Sequence, residues 1–134
     1  MSERNKAHIR RVIEEVYNRG DLGAVAEVAS SDLVIHAPSG DMRGHEGVRA
    51  YVAALRTGFP NLTITIEDQV AEGDMVVTRW VARGTHRGPF NGLPGTGKDV
   101  VVAGTDIDRF AGGKVAECWT HVDELGLLRQ LGAA

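Results

Sequence analysis

Hydrophobic residues recur at helical spacing in the first half of the chain. The segment NKAHIRRVIEEVYNRG places apolar side chains three and four residues apart, which predicts a helix that ends at Gly20. Asp21 is expected to cap a second, short helix. A short strand, DLVIHAP (32–38), and a loop, SGDMRGHEG (39–47), then lead into a third helix that starts at Glu46.

The second half alternates apolar and polar residues, a pattern typical of half-buried strands. Its strand segments are LTITIEDQVAEGD (62–74), MVVTRWVARGTHRG (75–88), DVVVAGTDIDRF (99–110) and VAECWTHVD (115–123). Short turns join most of them, so neighbouring strands should be antiparallel. The segment PFNGLPGTGK, rich in glycine and proline, predicts a loop, and DELGLLRQLG predicts a terminal helix.

This order of elements predicts an α+β fold in a single domain, residues 1–134. Helices that pack on one face of a curved antiparallel sheet form a layered structure. The open side of such a cone-shaped sheet is crossed by the helices, so we expect a pocket between the two layers.

Composition and charge exclude several classes of protein. The net charge of −3 comes with no cluster of Lys and Arg, which argues against a nucleic-acid partner. The single cysteine cannot form an internal disulfide, and the N-terminus lacks the apolar run of a signal peptide, so a cytoplasmic location is expected. No segment is apolar over the roughly 20 residues that a membrane-spanning helix needs, so no membrane partner is expected.

Three segments resemble those of a known family: FPNLTITIEDQVAEGDMVVTRWVARGTHRGPFNGLPGTGK, DRFAGGKVAECW and DELGLLRQLG. They are similar to the SnoaL-like polyketide cyclases and ester cyclases, which share the cone-shaped fold of nuclear transport factor 2 and ketosteroid isomerase. The resemblance implies a deep pocket, a homodimer or larger homo-oligomer, and a small hydrophobic substrate. It also implies an intramolecular aldol ring closure that uses neither a metal nor a cofactor.

The resemblance also implies where the acid–base residues lie. In the anthracycline cyclases of this family, an Asp on the last strand is the acid–base residue, and a His on the preceding strand supports it. Aligned without gaps, this chain has Thr120 at the Asp position and Asp106 at the His position. A carboxylate therefore remains in the pair, but on the other strand. His86, in GTHRG, matches a His of the family pattern.

Strand alternation groups further residues with Asp106. Gly104, Asp106 and Asp108 share one face of their strand, and the resemblance places Asp106 and Thr120 on the pocket side. Gly104 and Thr120 would then leave room for a ligand. Burial against apolar walls should raise the pKa of Asp106, which suits a general acid near neutral pH. In the alternative interpretation, Asp106 makes a structural contact with Arg79 or a histidine.

The histidines and aromatic residues supply further candidates. His36 ends a short strand, where it could orient a ligand at the pocket mouth, exchange a proton with Asp106, or serve as a structural group. His86 could contact the substrate or fix a turn by a hydrogen bond. His121 has the opposite strand parity from Thr120, so it is expected under a helix or at a subunit interface.

Large aromatic side chains dominate buried area, so Trp80 and Trp119 are expected to be core anchors. Trp80 could also line the pocket and stack on a flat substrate. Phe59, Phe90 and Leu93 are expected at the pocket entrance.

Two further motifs are set aside. GLPGTGKD (92–99) resembles a phosphate-binding loop, but Asp99 replaces the hydroxyl residue, and a strand follows where the motif needs a helix. The histidines and acidic residues lack the spacing of a metal site, so no metal is expected. Cys118 has no adjacent cation and is expected to be a small buried side chain.

The leading hypothesis is a cofactor-independent enzyme that cyclises or isomerises a small hydrophobic carbonyl compound. Asp106 would transfer the proton, and His36 and Thr120 would hydrogen-bond a substrate oxygen. A second hypothesis is an epoxide-hydrolase-like enzyme that uses Asp106, Asp108 and Arg109, although strand parity separates Arg109 from the two acids. A third is a non-catalytic protein that binds an apolar ligand or forms an oligomeric scaffold.

Overall fold

The computed structural model describes residues 2–134, which form a six-stranded sheet and the helices that cover it. The helices are α1 (Ser2–Arg11), α2 (Val25–Val28), α3 (Gly44–Gly58) and α4 (Glu124–Gln130). A π-helical segment (Val12–Asn18) continues α1, and a 3₁₀ turn (Leu22–Ala24) precedes α2. The strands are β1 (Ala29–Ala37), β2 (Gly40–Arg43), β3 (Thr63–Glu72), β4 (Met75–Thr85), β5 (Asp99–Ala111) and β6 (Lys114–Val122). Within residues 2–134, the helices are all too short or too polar to cross a membrane.

The strands follow one another across the sheet in the order β2-β1-β6-β5-β4-β3. Strands β3 to β6 form an antiparallel meander, as the alternation and the short turns predict. Strand β1, in contrast, runs parallel to β6. The chain leaves β1 through β2 and α3 and starts the meander at the far edge, so its last strand arrives beside β1 in the same direction. The predicted α+β class is confirmed, with this one parallel pair.

Two local predictions from the first half are wrong. The segment predicted to be a loop at 39–47 contains β2, which pairs with β1 in a hairpin with Ala37 opposite Gly40. This strand is mostly exposed, so its residues GDMR carry no apolar alternation that would reveal it. The side chain of Asp21 accepts no capping hydrogen bond, because the chain enters α2 through a 3₁₀ turn instead of a regular first turn.

Apolar side chains fill the space between the helices and one face of the sheet, which we call the inner face. Val16 and Val52 of the helical layer and Val76 of β4 are almost completely buried there. A second cluster, at the other end, includes Phe59 and Leu131. Leu131 therefore anchors the terminal helix, whereas Leu125 is exposed over 52% of its surface. The two clusters leave an open space between them.

Candidate active site

A cavity of about 100 Å³ lies between the helices and the inner face of the sheet. Its walls are mainly apolar. Apart from Arg83, which is exposed, its charged and hydroxyl-bearing side chains sit in two places. Asp106 and Thr120 form part of the sheet side, while Tyr17 and Tyr51 come from the helical side. The apolar residues of the wall include Ile13, Ile35, Leu55, Phe59, Leu62, Ile64, Phe90, Val100, Val102 and Leu127.

The register of β5 against β6 places Asp106 directly opposite Thr120. Thr120 Oγ1 donates a hydrogen bond of 2.6 Å to Asp106 Oδ1, and Trp80 Nε1 donates one of 3.0 Å to the same oxygen. Asp106 Oδ2 receives no hydrogen bond from residues 2–134. It is not among the sealed, unpartnered atoms of that range either, so it is accessible from the cavity. The carboxyl group is thus held by one oxygen and free at the other.

The surroundings of Asp106 favour its protonated form. Burial raises the pKa of Asp106 above its ordinary value, although the hydrogen bonds from Thr120 and Trp80 act in the opposite direction. The alternative contact with Arg79 is not formed, because Arg79 is exposed and pairs with Asp68 on β3. Asp106 therefore lies in the cavity, and none of residues 2–134 forms a salt bridge with it.

Asp108 lies two residues further along the inner face of β5 and is only 6% exposed. It lines a smaller neighbouring cavity of about 60 Å³, together with Asp106 and Cys118. Burial, reinforced by the negative charge of Asp106, raises the pKa of Asp108 to about 8. Asp108 is therefore protonated at neutral pH, next to a carboxyl group that faces the larger cavity.

Asp106, Asp108 and Cys118 offer donor atoms that lie within 4.8 Å of one another. Burial also raises the pKa of the Cys118 thiol well above its ordinary value. A metal ion would require both Asp108 and Cys118 to lose their protons, which burial opposes. The cluster is therefore better described as a pair of carboxyl groups that retains a proton than as a metal site.

Gly104 does not leave room for a ligand, contrary to the expectation from sequence. A Cβ atom at this position would lie 2.2 Å from Cζ2 of Trp80, because the indole ring covers the glycine. Gly104 is opposite Trp80 in the β4–β5 register, so the missing side chain makes space for the ring. The glycine thus acts on the site indirectly, by allowing Trp80 to reach Asp106.

Gly104→Ala is expected to destabilise the protein by about 1–3 kcal/mol, since the new methyl group must displace the Trp80 ring. Urea unfolding followed by tryptophan fluorescence measures this change. Gly47→Ala is the matched control, because its Cβ would meet no atom closer than 3.4 Å. Equal stability of Gly104→Ala and the wild type would contradict the packing of Trp80 on this glycine.

His36 lies away from the cavity, on the outer face of the sheet. Ile35 points into the cavity, so strand alternation turns the next side chain outward. His36 Nε2 lies 2.7 Å from Glu117 Oε2, His36 Nδ1 lies 3.0 Å from Asp41 Oδ1, and these contacts raise its pKa. The imidazole ring also stacks on Trp119, with ring centroids 5.5 Å apart. The structure therefore does not bring His36 and Asp106 together.

Trp119 of β6 also differs from expectation, because it is only partly buried on the outer face and is not the core anchor that its size suggests. His121 shares this face and is exposed, so it does not pack under a helix. Its alternative place, at a subunit interface, stays a prediction. Cys118, in contrast, is buried as predicted.

The predicted entrance residues divide into two groups. Phe59 and Phe90 line the cavity and meet edge to face, with ring centroids 5.3 Å apart. Leu93 packs against the same apolar cluster and forms an isolated bridge with Phe90, but it is not part of the cavity wall. His86 is completely buried behind Phe59, and its Nδ1 accepts a hydrogen bond from the backbone N–H of Thr96. His86 thus ties down the loop that carries Phe90.

Sequence reasoning overlooked Tyr17 and Tyr51 as site residues. Both occupy apolar stripes of predicted helices, a pattern that indicates core positions. Both line the cavity instead. The available signal was the phenol itself, because a buried tyrosine carries a hydroxyl group that needs a partner or an open space.

Residues 7–131 match the family model of the SnoaL-like polyketide cyclases. A SnoaL-like protein from Jannaschia sp. CCS1, provisionally described as a polyketide cyclase, is 27% identical. Its TM-score is 0.91, and the match covers 99% of this chain and 94% of that one. IdmH from Streptomyces antibioticus, with the same provisional description, is 36% identical over 95% of this chain and 97% of its own, with a TM-score of 0.83.

A third similar structure is AclR from Streptomyces galilaeus, provisionally described as a hydroxylase. It is 30% identical, with a TM-score of 0.86, and the match covers 98% of this chain and 82% of that one. No curated protein sequence matches the chain significantly. The structural similarities confirm the predicted nuclear transport factor 2-like fold.

Proposed function

Since the chain belongs to the SnoaL-like polyketide cyclase family, we propose that it is a cofactor-independent enzyme that cyclises or isomerises a small hydrophobic carbonyl compound. The proton transfer is assigned to Asp106. One observation carries this assignment: the Asp106 carboxyl group, with Oδ2 free, faces a mainly apolar cavity. Apolar cavities with a few converging polar groups are the usual form of small-molecule sites.

The proposed reaction starts when ionised Asp106 accepts a proton from the carbon next to a substrate carbonyl group. The electron pair of the broken C–H bond moves onto the carbonyl oxygen and gives an enolate. The enolate carbon then attacks a second carbonyl carbon of the same molecule, which forms the ring bond. Protonated Asp106 returns its proton to the new alkoxide, so the cycle consumes no proton and no oxidant.

Desolvation makes Asp106 suited to both halves of this cycle. The raised pKa of Asp106 makes its ionised carboxylate a stronger base than that of an exposed Asp. The same shift brings the pKa of the group nearer to neutral pH, which favours proton transfer in both directions. Thr120 and Trp80 hold Oδ1 and thereby orient Oδ2. In this proposal Thr120 positions the catalytic carboxyl group, whereas the sequence had suggested that it binds a substrate oxygen.

The apolar walls are proposed to fold a flexible substrate into a reactive shape. Bringing two carbonyl carbons of one chain together can supply much of the barrier reduction without any further chemistry. Phe59 and Phe90 would contact the substrate near the loop that His86 holds in place. Trp80 would act through Asp106 and as part of the wall.

A deuterium-exchange assay tests this function. The protein is incubated in D₂O with small aromatic and aliphatic poly-β-ketones, and NMR follows both the α-carbon positions and ring formation. The expected result is deuterium uptake at an α-carbon that is faster than in the protein-free solution, together with a cyclised product of the aldol type. Saturable binding without exchange or turnover would contradict the enzyme and favour a binding protein.

A binding protein is the second candidate because Thr120 replaces the acid expected from the family resemblance. The epoxide-hydrolase-like alternative is less well supported, because Arg109 pairs with Glu117 and not with Asp106 or Asp108. The family resemblance further supports a homodimer or larger homo-oligomer in the cytoplasm.

A further inference from the structure

Tyr17 and Tyr51 face the same cavity as Asp106 but belong to the opposite layer of the fold. Tyr17 lies in the π-helical segment and Tyr51 lies in α3. Their rings meet edge to face, with centroids 6.4 Å apart. The two phenols therefore form one pair on the helical side of the cavity, while the carboxyl group lies on the sheet side.

Neither tyrosine hydroxyl has a hydrogen-bond partner within residues 2–134. Among residues 2–134, the only fully buried side-chain nitrogen or oxygen atom that lacks a hydrogen-bond partner is His86 Nε2, so neither hydroxyl group is fully buried. The hydroxyl groups are therefore accessible from the cavity and not enclosed in the core. A tyrosine O–H inside a protein usually finds a partner. Two O–H groups that share an open cavity are free to bind an oxygen atom of a ligand.

Both phenols keep their protons in this environment. Burial raises the pKa of Tyr17 well above its ordinary value and that of Tyr51 to about 12. The negative charge of Asp106 raises both pKa values further. The pair is therefore a set of hydrogen-bond donors at neutral pH.

The backbone that carries the tyrosines is held firmly. The side chain of Asn18 donates to the backbone oxygen of Ile64 at 3.0 Å and accepts from its N–H at 2.7 Å. Arg56, on the same helix as Tyr51, donates to the backbone oxygen of Tyr17 at 2.9 Å. These bonds join the π-helical segment to β3 and to α3. The donors are thus fixed in place before any ligand arrives, as efficient charge stabilisation requires.

We propose that Tyr17 and Tyr51 form a two-donor site for the oxygen atom of the substrate's reacting carbonyl group. This inference rests on the proposed function. When Asp106 removes the α-proton, the electron pair of the C–H bond moves to that oxygen, and the two O–H groups stabilise the resulting enolate charge. The arrangement assigns an orientation to the substrate: its carbonyl oxygen faces the helices and its acidic carbon faces β5. The substrate is therefore an enolisable carbonyl compound.

The test uses 4-nitrophenol, whose phenolate resembles an enolate and absorbs visible light. Its binding is titrated in the Asp106→Asn background, where the competing carboxylate charge is absent, above and below the pKa of the free probe. Tyr17→Phe and Tyr51→Phe are each expected to weaken phenolate binding by about 10-fold to 100-fold. Binding of the neutral phenol should change far less. Thr105→Val is the matched control, since it removes a hydroxyl group from β5 on the outer face.

Phenolate binding that is unchanged in either Phe variant overturns the two-donor site, while proton transfer by Asp106 remains testable by α-carbon exchange. Conversely, a protein that binds phenolate through both tyrosines but exchanges no α-proton loses the proposed function and keeps the donor site. Should a variant misfold, the wild type with ¹³Cζ-labelled tyrosine decides the matter. Both tyrosine signals must shift on addition of 4-nitrophenolate, and an unshifted signal excludes that residue.

Discussion

Asp106→Asn is expected to slow ring closure by about 10²–10⁴-fold, the usual contribution of a positioned acid–base group. Asn has nearly the shape of Asp, and its carbonyl oxygen can still accept the hydrogen bonds of Thr120 and Trp80. The amide group cannot take a proton from carbon, however. The loss should therefore appear in kcat, with KM changed little, because the substrate still meets the same walls.

The measurement is a pair of pH–rate profiles on a substrate identified by the exchange assay. The wild-type rate should rise with pH as Asp106 loses its proton, with a midpoint above that of an exposed Asp, because burial raises the pKa of Asp106. This rise of the rate with pH should be missing in Asp106→Asn. Asp68→Asn is the control, since Asp68 is exposed and pairs with Arg79 outside the cavity. A variant with wild-type kcat would remove Asp106 from the mechanism.

The sequence predicted the meander well because its strands carry a physical signal of period two. In β3, Ile64 and Ile66 must face the core while Thr63 and Thr65 face solvent, and a shift of one residue would reverse both. Short turns then leave antiparallel pairing as the available arrangement. The parallel pairing of β1 with β6 could not be predicted from the residues of either strand, because it depends on where the chain returns to the sheet after α3.

The sequence contains a signal against His36 as a cavity residue. In DLVIHAP, Leu33 and Ile35 are the apolar alternates, so the period of the strand places His36 on the face opposite the cavity. The structure places His36 with Glu117 and Asp41, whose charges raise its pKa on the outer face.

The opposition of Asp106 and Thr120 was predictable, whereas the rest of the site was not. Strand parity and the family resemblance together place these two residues on the same face of adjacent strands. Trp80 reaches Asp106 only because Gly104 has no side chain, and such a fit depends on three-dimensional packing. The same holds for Tyr17 and Tyr51, since a helical stripe does not distinguish a core position from a cavity wall.

The stability of the protein is expected to fall by about 2 kcal/mol as the pH rises from 5 to 6.5, because of Asp108. In the unfolded chain, Asp108 loses its proton near its ordinary pKa of 3.8, whereas the folded protein keeps the proton up to about pH 8. Between these values the folded state binds one proton more than the unfolded state. The free energy of unfolding then decreases by about 1.4 kcal/mol per pH unit.

This pH window separates the buried pair from the other shifted groups. The contacts of His36 raise its pKa, so its contribution is complete below about pH 6.5 and is lost only above it. Hydrogen bonds lower the pKa values of Asp32 and Glu117, so their contributions are complete above about pH 5. Asp106 changes stability in the same direction as Asp108, because burial raises its pKa too. The slope between pH 5 and 6.5 therefore reports Asp106 and Asp108.

Urea unfolding of the wild type and of Asp108→Asn at pH 5.0, 5.5, 6.0 and 6.5 measures this slope directly. Asn cannot titrate, so Asp108→Asn should retain only the part of the slope that Asp106 contributes. This expectation holds whatever the absolute stability of the variant. Asp68→Asn should keep the full wild-type slope, because Asp68 is exposed. A flat wild-type profile would mean that Asp108 ionises in the folded state at low pH. Two adjacent carboxylates would then lie on the inner face of β5, and a cation would be needed to offset their mutual repulsion.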